Sequence, residues 1–191
     1  CNDVGVRYLT IYSFSTENWK RSASEVTGLM DLFAKVMGRE IDGLDGEGVR
    51  IELLGHVEAL PLTTRTIFRQ AAKRTANNTG MTLAIAVNYG SRLEITDAVK
   101  SIAADVAAGT LAPDDIDEAL IGSRLYTSDM PDPDLCIRTS GELRLSNFLL
   151  WQFAYTEFYI TDVLWPDFDR YELARALISF QNRNRRFGRE A

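Results

Sequence analysis

An α/β fold with a mostly parallel sheet is predicted by three features of the chain. Short β-branched or aromatic runs recur, stretches with helical periodicity separate them, and polar clusters fall where the runs end. The run VRYLTIYSF (6–14) passes directly into the polar STENWKR, so it reads as a buried strand ending in a functional loop. Ser22 and Glu25 have capping-box spacing, and Val26, Leu29, Met30, Phe33 and Met37 follow at a helical period. A helix from about Ser22 to Asp42 is expected, closed by the glycine-rich DGLDGEG. VRIELLG (49–55) is the second strand, and Pro61 opens a helix that ends near Gly80. MTLAIAVNYG (81–90) is continuously apolar, the pattern of a strand buried on both faces. Helices are expected over RLEITDAVKSIAADVAAG and, after Pro113, within DDIDEALIGSRL, before the turn chemistry of TSDMPDPD. LCIRT and EFYITDV supply two more strands, and DRYELARALISFQNRNRR a terminal helix.

Alternation of this kind implies right-handed βαβ units and a mostly parallel central sheet flanked by helices. No linker, repeat or low-complexity stretch interrupts it, so residues 1–191 are expected to form a single domain. Ligands of such sheets gather at the carboxyl ends of the strands. Three polar clusters fall there: STENWKR, NYGSR and RTSGELRLS.

Composition narrows the chemistry. Of 191 residues 46% are hydrophobic and 25% charged, which is ordinary globular usage with room for a real core. The formal charge of −6 argues against a general grip on nucleic acid, so any anion site must be local. Cys1 and Cys136 are far apart and lack metal-type spacing, which fits a reducing, cytoplasmic setting. His56, the only histidine, reads as a solvated loop residue and leaves no histidine cluster for a metal. No run approaches the roughly 18 apolar residues of a membrane span.

Arginine matches phosphate oxygens with a planar fork of donors, and serine and threonine hydroxyls add more. Arg138, Arg144 and Ser146 are therefore candidates to hold one diphosphate. The plainer alternative pairs Arg138 with Asp134 or Glu142 and makes Ser146 the cap of a helix from Asn147. Glu157 follows an aromatic run, where a carboxylate is costly unless paired or metal-bound, and magnesium is the natural counter-ion beside phosphates. In FSTENW, Ser15, Thr16, Asn18 and Trp19 offer polar contacts beside an apolar face. Neither a dinucleotide fingerprint nor a Walker-type loop is present.

The segments YSFSTENWKR, NTGMTLAIAVNYGSR, DPDLCIRTSGELRLSNFLLWQFAYTEFY, DVLWPDF and NRNRRFG resemble, in order and spacing, the cis-prenyltransferases, in particular bacterial undecaprenyl diphosphate synthase-like enzymes. The resemblance implies magnesium-dependent condensation of isopentenyl diphosphate with an allylic, farnesyl-type diphosphate to a cis-polyprenyl diphosphate, with undecaprenyl diphosphate as the cell-wall lipid carrier. Carried over by position, Arg138, Arg144, Leu145 and Ser146 bind isopentenyl diphosphate and Glu157 is a magnesium ligand. Ser15, Thr16, Glu17, Trp19 and Arg21 line the substrate site, and Asn18 is the catalytic position, with an orienting role because an amide is a poor base. Leu29, Phe33, Met37, Met81 and the small Ser13 are implied to face an apolar product tunnel, although a stripe of this kind is ordinarily core.

Leu143 stands where the family has a histidine, and Gly90, Ser91 and Arg92 replace its Gly-Gly-Arg. The family's first strand and aspartate loop, which share the magnesium, are expected to precede the present first residue in a parent protein, and activity is expected only with them. The resemblance also implies a homodimer, with FAYTEFYITDVLW as an apolar contact face, and peripheral contact with the inner face of a membrane. The alternative is a non-catalytic prenyl-diphosphate-binding or partner subunit of the same fold.

Overall fold

The computed structural model describes residues 1–183 and resolves two compact units, Cys1–Met130 and a second that begins at Pro131. The first carries a parallel sheet flanked by helices, as the alternating pattern predicts, and the second a separate two-stranded parallel sheet with one α-helix.

In the first unit, strands β1 (Tyr8–Ser15), β2 (Arg50–Leu54) and β3 (Thr82–Tyr89) pair in the order β1-β3-β2, all parallel. Strand β3 is thus hydrogen-bonded on both sides, and all its residues but Leu83 are buried. This accounts for its unbroken apolar character. Strand β1 is a correction to the expected buried strand: only Phe14 is fully buried, because β1 pairs with β3 along one edge. The outer edge of β2 is quieted from the helix layer. Ile51 N–H donates to Thr75 Oγ1 at 3.0 Å, and that hydroxyl donates in turn to the Ala71 carbonyl.

Helix α1 (Ala23–Gly46) starts where predicted, with Ser22 Oγ accepting from Glu25 N–H at 3.3 Å. Glu25 does not close the capping box, since its carboxylate pairs with Arg21 at 2.7 Å. The helix also runs on through Gly43 instead of stopping at Asp42. Arg74 of helix α2 (Leu62–Thr75) binds Asp42 at 2.5 Å and Asp45 at 2.9 Å, and Leu44 packs on the core. These contacts offset a glycine penalty of about 1 kcal/mol. Met30 and Met37 from α1 meet Phe68 and Ala71 from α2 over Phe14, Ile51, Ile85 and Val87 of the sheet. Helix α3 (Ser91–Ala107) follows β3 directly, and α4 is a short piece (Glu118–Gly122) capped by Asp117.

The second unit pairs β4 (Leu135–Arg138) with β5 (Glu157–Ile160) in parallel and carries helix α5 (Arg170–Gln181). Asp169 Oδ1 caps α5, accepting from Tyr171 and Glu172 N–H at 2.8 and 3.0 Å. The expected helix at Asn147 is replaced by turns and a 3-10 segment, Gln152–Tyr155. The connection turns because Ser146, Asn147 and Leu149 adopt left-handed φ values. The expected terminal helix ends at Gln181, and positions 184–186 of NRNRR lie outside the described residues. Among the described residues no helix is long and apolar enough to cross a membrane.

Met30 is 2% exposed at the centre of the first core. Met30→Ala is expected to destabilise the protein by about 2–5 kcal/mol, read as a lower urea midpoint with an unchanged slope.

Candidate active site

Two groups of predicted residues assemble, one in each unit. In the first, β1 runs into a 3-10 turn, Thr16–Lys20, and Ser15 N–H donates to Asn18 Oδ1 at 2.8 Å. A backbone N–H can only donate, so the Asn18 carbonyl oxygen faces the turn and its NH₂ group remains to donate to a ligand. That arrangement suits an orienting donor and not a base. Trp19 lays its ring edge on Phe14 at 5.1 Å, Phe14 meets Phe33 of α1 at 6.2 Å, and the indole Nε1–H donates to Asn88 Oδ1 at 2.7 Å. Thr16 Oγ1 bonds Glu17 Oε2 at 3.2 Å, while the Arg21 guanidinium is held by Glu25.

Ser13 falls at a register irregularity between Tyr12 and Phe14, and its hydroxyl donates to the Ala86 carbonyl at 3.2 Å. Leu29 and Phe33 are half-buried against the core, while Met37 and Met81 are buried. Beside Met37 a cleft of about 230 Å³ opens between α1 and α2, lined by Gly38, Ile41, Ile67, Gln70, Ala71 and Arg74. Burial pushes the Tyr12 phenol up to about 12, and it stays neutral while donating to the Tyr89 carbonyl.

His56 is half-exposed as expected, but it is not merely solvated. Its Nε2 lies 2.5 Å from Asp97 Oδ2, which also accepts from Tyr126 Oη–H at 2.5 Å. Behind this pair the fully buried Glu94 accepts from Tyr89 Oη–H at 2.5 Å and from Tyr126 N–H at 2.9 Å. Burial acts to raise the Asp97 carboxyl, but the Tyr126 and His56 hydrogen bonds outweigh it and hold the group below its usual range.

In the second unit, Arg138 ends β4 and its Nη2 reaches Ser146 Oγ at 3.5 Å. Among the described residues the buried Arg138 Nε has no hydrogen-bond partner and Arg138 makes no ion pair. The predicted pairing with Asp134 or Glu142 is therefore corrected: Glu142 pairs with the exposed Arg144. A buried guanidinium N–H left unsatisfied is a donor awaiting an acceptor. The loop beyond it is anchored by Ser140 N–H to the Val163 carbonyl and Gly141 N–H to the Thr161 carbonyl, each at 2.9 Å. Gly141 has φ +65°, and a Cβ there would lie 2.8 Å from Asp162 Oδ1. Leu145 is half-buried between the two polar ends of this loop, and Leu143 is 82% exposed.

Glu157 opens β5, and its carboxylate pairs with Arg183 at 2.8 Å. Among the described residues no three acidic, histidine or cysteine side chains converge. Glu157, the predicted magnesium ligand, would have to exchange Arg183 for the cation in order to hold it.

Comparison with known proteins matches residues 1–188 to the family described as "Putative undecaprenyl diphosphate synthase". The isoprenyl transferase of Heliobacterium mobile is 54% identical over 188 residues, covering 98% of this chain and 72% of the relative. That of Geobacillus kaustophilus is 54% identical over 187 residues, covering 98% and 73%. Among solved structures, lavandulyl diphosphate synthase from Lavandula x intermedia, in complex with dimethylallyl diphosphate, superposes with a TM-score of 0.95. It is 39% identical, over 98% of this chain and 81% of that one. A "probable undecaprenyl diphosphate synthase" from Campylobacter jejuni gives a TM-score of 0.88 at 30% identity, over 99% and 86%. Fold and relatives together define an α/β transferase of prenyl groups. The chain belongs to the undecaprenyl diphosphate synthase family of cis-prenyltransferases, enzymes that condense prenyl diphosphates.

Reading the residues in order missed Asn88 and Arg183, which contact the predicted Trp19 and Glu157. The one available signal was that each lies in a family-like segment, NYGSR or NRNRR.

Two measurements follow from the electrostatics. Because the folded Asp97 carboxyl lies below its unfolded value, its stabilisation is complete above about pH 4 and is lost as pH falls through the folded value. Asp97→Asn is expected to flatten the acid limb of the melting-temperature profile, and an unchanged limb would refute the assignment. Burial pushes the Cys136 thiol up to about 11 against the opposing charge of Arg138. Its iodoacetamide labelling, followed by peptide mass, is expected to be slow at neutral pH and still rising above pH 9.

Proposed function

We propose that this prenyltransferase extends an allylic, farnesyl-type diphosphate with isopentenyl diphosphate and makes cis-polyprenyl diphosphates, undecaprenyl diphosphate being the cell-wall lipid carrier. The observation that carries the reading is Arg138, a part-buried cation with a buried, unsatisfied Nε and no ion pair among the described residues, beside Ser146 in an anchored loop. It offers the isopentenyl diphosphate a charge-assisted hydrogen bond that no carboxylate among the described residues already occupies. Arg144, released from Glu142, and the Leu145–Ser146 segment complete the grip. Dimethylallyl diphosphate, bound by the lavandulyl relative, is an allylic diphosphate and supports this substrate class.

In the reaction the terminal alkene carbon of isopentenyl diphosphate bonds to the allylic carbon as its bond to the diphosphate oxygen breaks. The attack leaves a tertiary cation at C3 of the isopentenyl unit. A proton then leaves C2 for a diphosphate oxygen or water to form the new double bond, and Asn18 orients that acceptor through its NH₂ group. Glu157 would hold magnesium, which when bound would supply neutralisation of the leaving diphosphate. The chain itself contributes Arg138 for binding and the Ser15–Trp19 turn for alignment. The growing apolar product follows Leu29, Phe33 and Met37 between sheet and helix, with Ser13 and Met81 on the strand side.

Exposed Tyr155, Ile160, Leu164 and Trp165 support a homodimer contact face, with peripheral membrane contact at the cytoplasmic side through which a lipid product leaves. Labelled isopentenyl diphosphate, farnesyl diphosphate and magnesium incubated with the full-length protein are expected to give elongated lipid, abolished by chelation and restored by magnesium. Absence of elongated product defeats the reading in favour of a non-catalytic binding subunit. Arg138→Ala is expected to raise KM for isopentenyl diphosphate about tenfold or more, the equivalent of about 1.5–3 kcal/mol for charge-assisted hydrogen bonds.

A further inference from the structure

Asn88, near the carboxyl end of β3, touches two neighbouring strand-end loops at once. Its backbone carbonyl accepts from His56 N–H at 3.1 Å, and its side-chain Nδ2 donates to the His56 carbonyl at 2.9 Å. The remaining side-chain atom, Oδ1, accepts from the Trp19 indole at 2.7 Å. Its φ of 48° is left-handed, a conformation that asparagine tolerates better than most residues. The approach on the His56 side requires glycine beside it: a Cβ on Gly55 would lie 2.5 Å from the Val87 carbonyl oxygen and 2.8 Å from that of Asn88. The residue is 5% exposed, so these bonds form away from competing water.

We propose that Asn88 is a positioning residue for prenyl transfer: through Oδ1 it locks the Trp19 indole and so sets the turn that presents Asn18. The turn is short, with the Ser15 N–H to Asn18 Oδ1 bond at its start and Trp19 immediately after Asn18. Phe14 steers only one edge of the Trp19 ring, and the hydrogen bond to Asn88 fixes its rotation. The amide has no orientational freedom of its own. Nδ2 faces the His56 carbonyl, which can only accept, so Oδ1 must face the indole N–H, which can only donate. The indole N–H is thereby spent on Asn88 and is not a substrate donor.

The turnover arm of the test rests on the function proposed above, and the exchange arm does not. Three variants of the full-length protein separate the arms of Asn88. Trp19→Phe removes the indole N–H and keeps an aromatic ring for Phe14. Asn88→Gly keeps the left-handed backbone and removes both side-chain bonds. Asn88→Asp returns the acceptor for Trp19 without the donor to His56. Trp19→Phe and Asn88→Gly are each expected to lower kcat about tenfold to a hundredfold with little change in KM for isopentenyl diphosphate. The double variant is expected to fall no further than Asn88→Gly alone. Asn88→Asp is expected to recover most of the turnover lost with glycine while its melting temperature stays depressed. Amide exchange over Ser15–Lys20 is expected to quicken in Trp19→Phe and Asn88→Gly.

If Asn88→Gly lowers only the melting temperature, if its effect multiplies with that of Trp19→Phe, or if Asn88→Asp fails to recover turnover, the proposal is overturned. Should the glycine variant not fold, unchanged kcat in Trp19→Phe overturns it as well. Should the parent protein show no turnover, the functional reading fails by itself. Exchange over Ser15–Lys20 then decides, and unquickened exchange in both variants overturns the positioning role.

Discussion

The first unit depends on the double-sided pairing of β3. A strand buried on both faces and bonded along both edges leaves its neighbours little choice of register. Thr82 faces Tyr8 on one side and Arg50 on the other, so β1 and β2 start level and end near one another. Their loops then emerge at the same end, the place where such sheets present ligand-binding groups. Asn88 extends the ladder past its regular end with side-chain bonds, and the absence of a side chain at Gly55 makes room for it. Placement of Trp19 thus follows from a packing constraint on a strand distant in sequence.

The second unit solves a different problem. Its two parallel strands are joined without an α-helix, and the connection contains Ser140, Ser146, Asn147 and Leu149 at positive φ. Non-glycine residues in that region cost on the order of 1 kcal/mol or more each and persist where surrounding contacts over-determine them. Here the backbone bonds to Thr161 and Val163 and the burial of Leu149 at 2% exposure do so. The strain lies in the segment that follows Arg138 and carries Ser146, the loop to which the proposed diphosphate grip is assigned.

Charge is handled locally throughout. The chain carries −6 overall, yet most of its arginines are bound by acids within their own unit: Arg74 by Asp42 and Asp45, Arg124 by Asp105, Arg144 by Glu142. Arg138 differs, being part-buried and without an ion pair among the described residues. A net-acidic surface repels stray polyanions, while a part-buried guanidinium without an ion pair keeps its affinity for a small one. Glu157 is likewise matched locally, by Arg183 at 2.8 Å.

The sequence by itself determined the alternation of strands and helices, the Ser22 cap, the continuous burial of β3 and the segments that mark the family. All are local in chain or carried by periodicity, so neighbours along the sequence suffice to specify them. The contact between Arg138 and Ser146 was legible too, because only eight positions separate them. Tertiary structure alone decided the rest. Trp19 meets Asn88 across 69 positions, His56 meets Asp97 across 41, and Arg183 meets Glu157 across 26. Each contact is a single directional hydrogen bond with no periodic trace. The same distance effect carried α1 past its glycines, where Arg74, 32 positions from Asp42, outweighed a local stop signal. Hydrophobic patterning specifies which faces must be buried, and only the folded register decides which polar atoms then find one another.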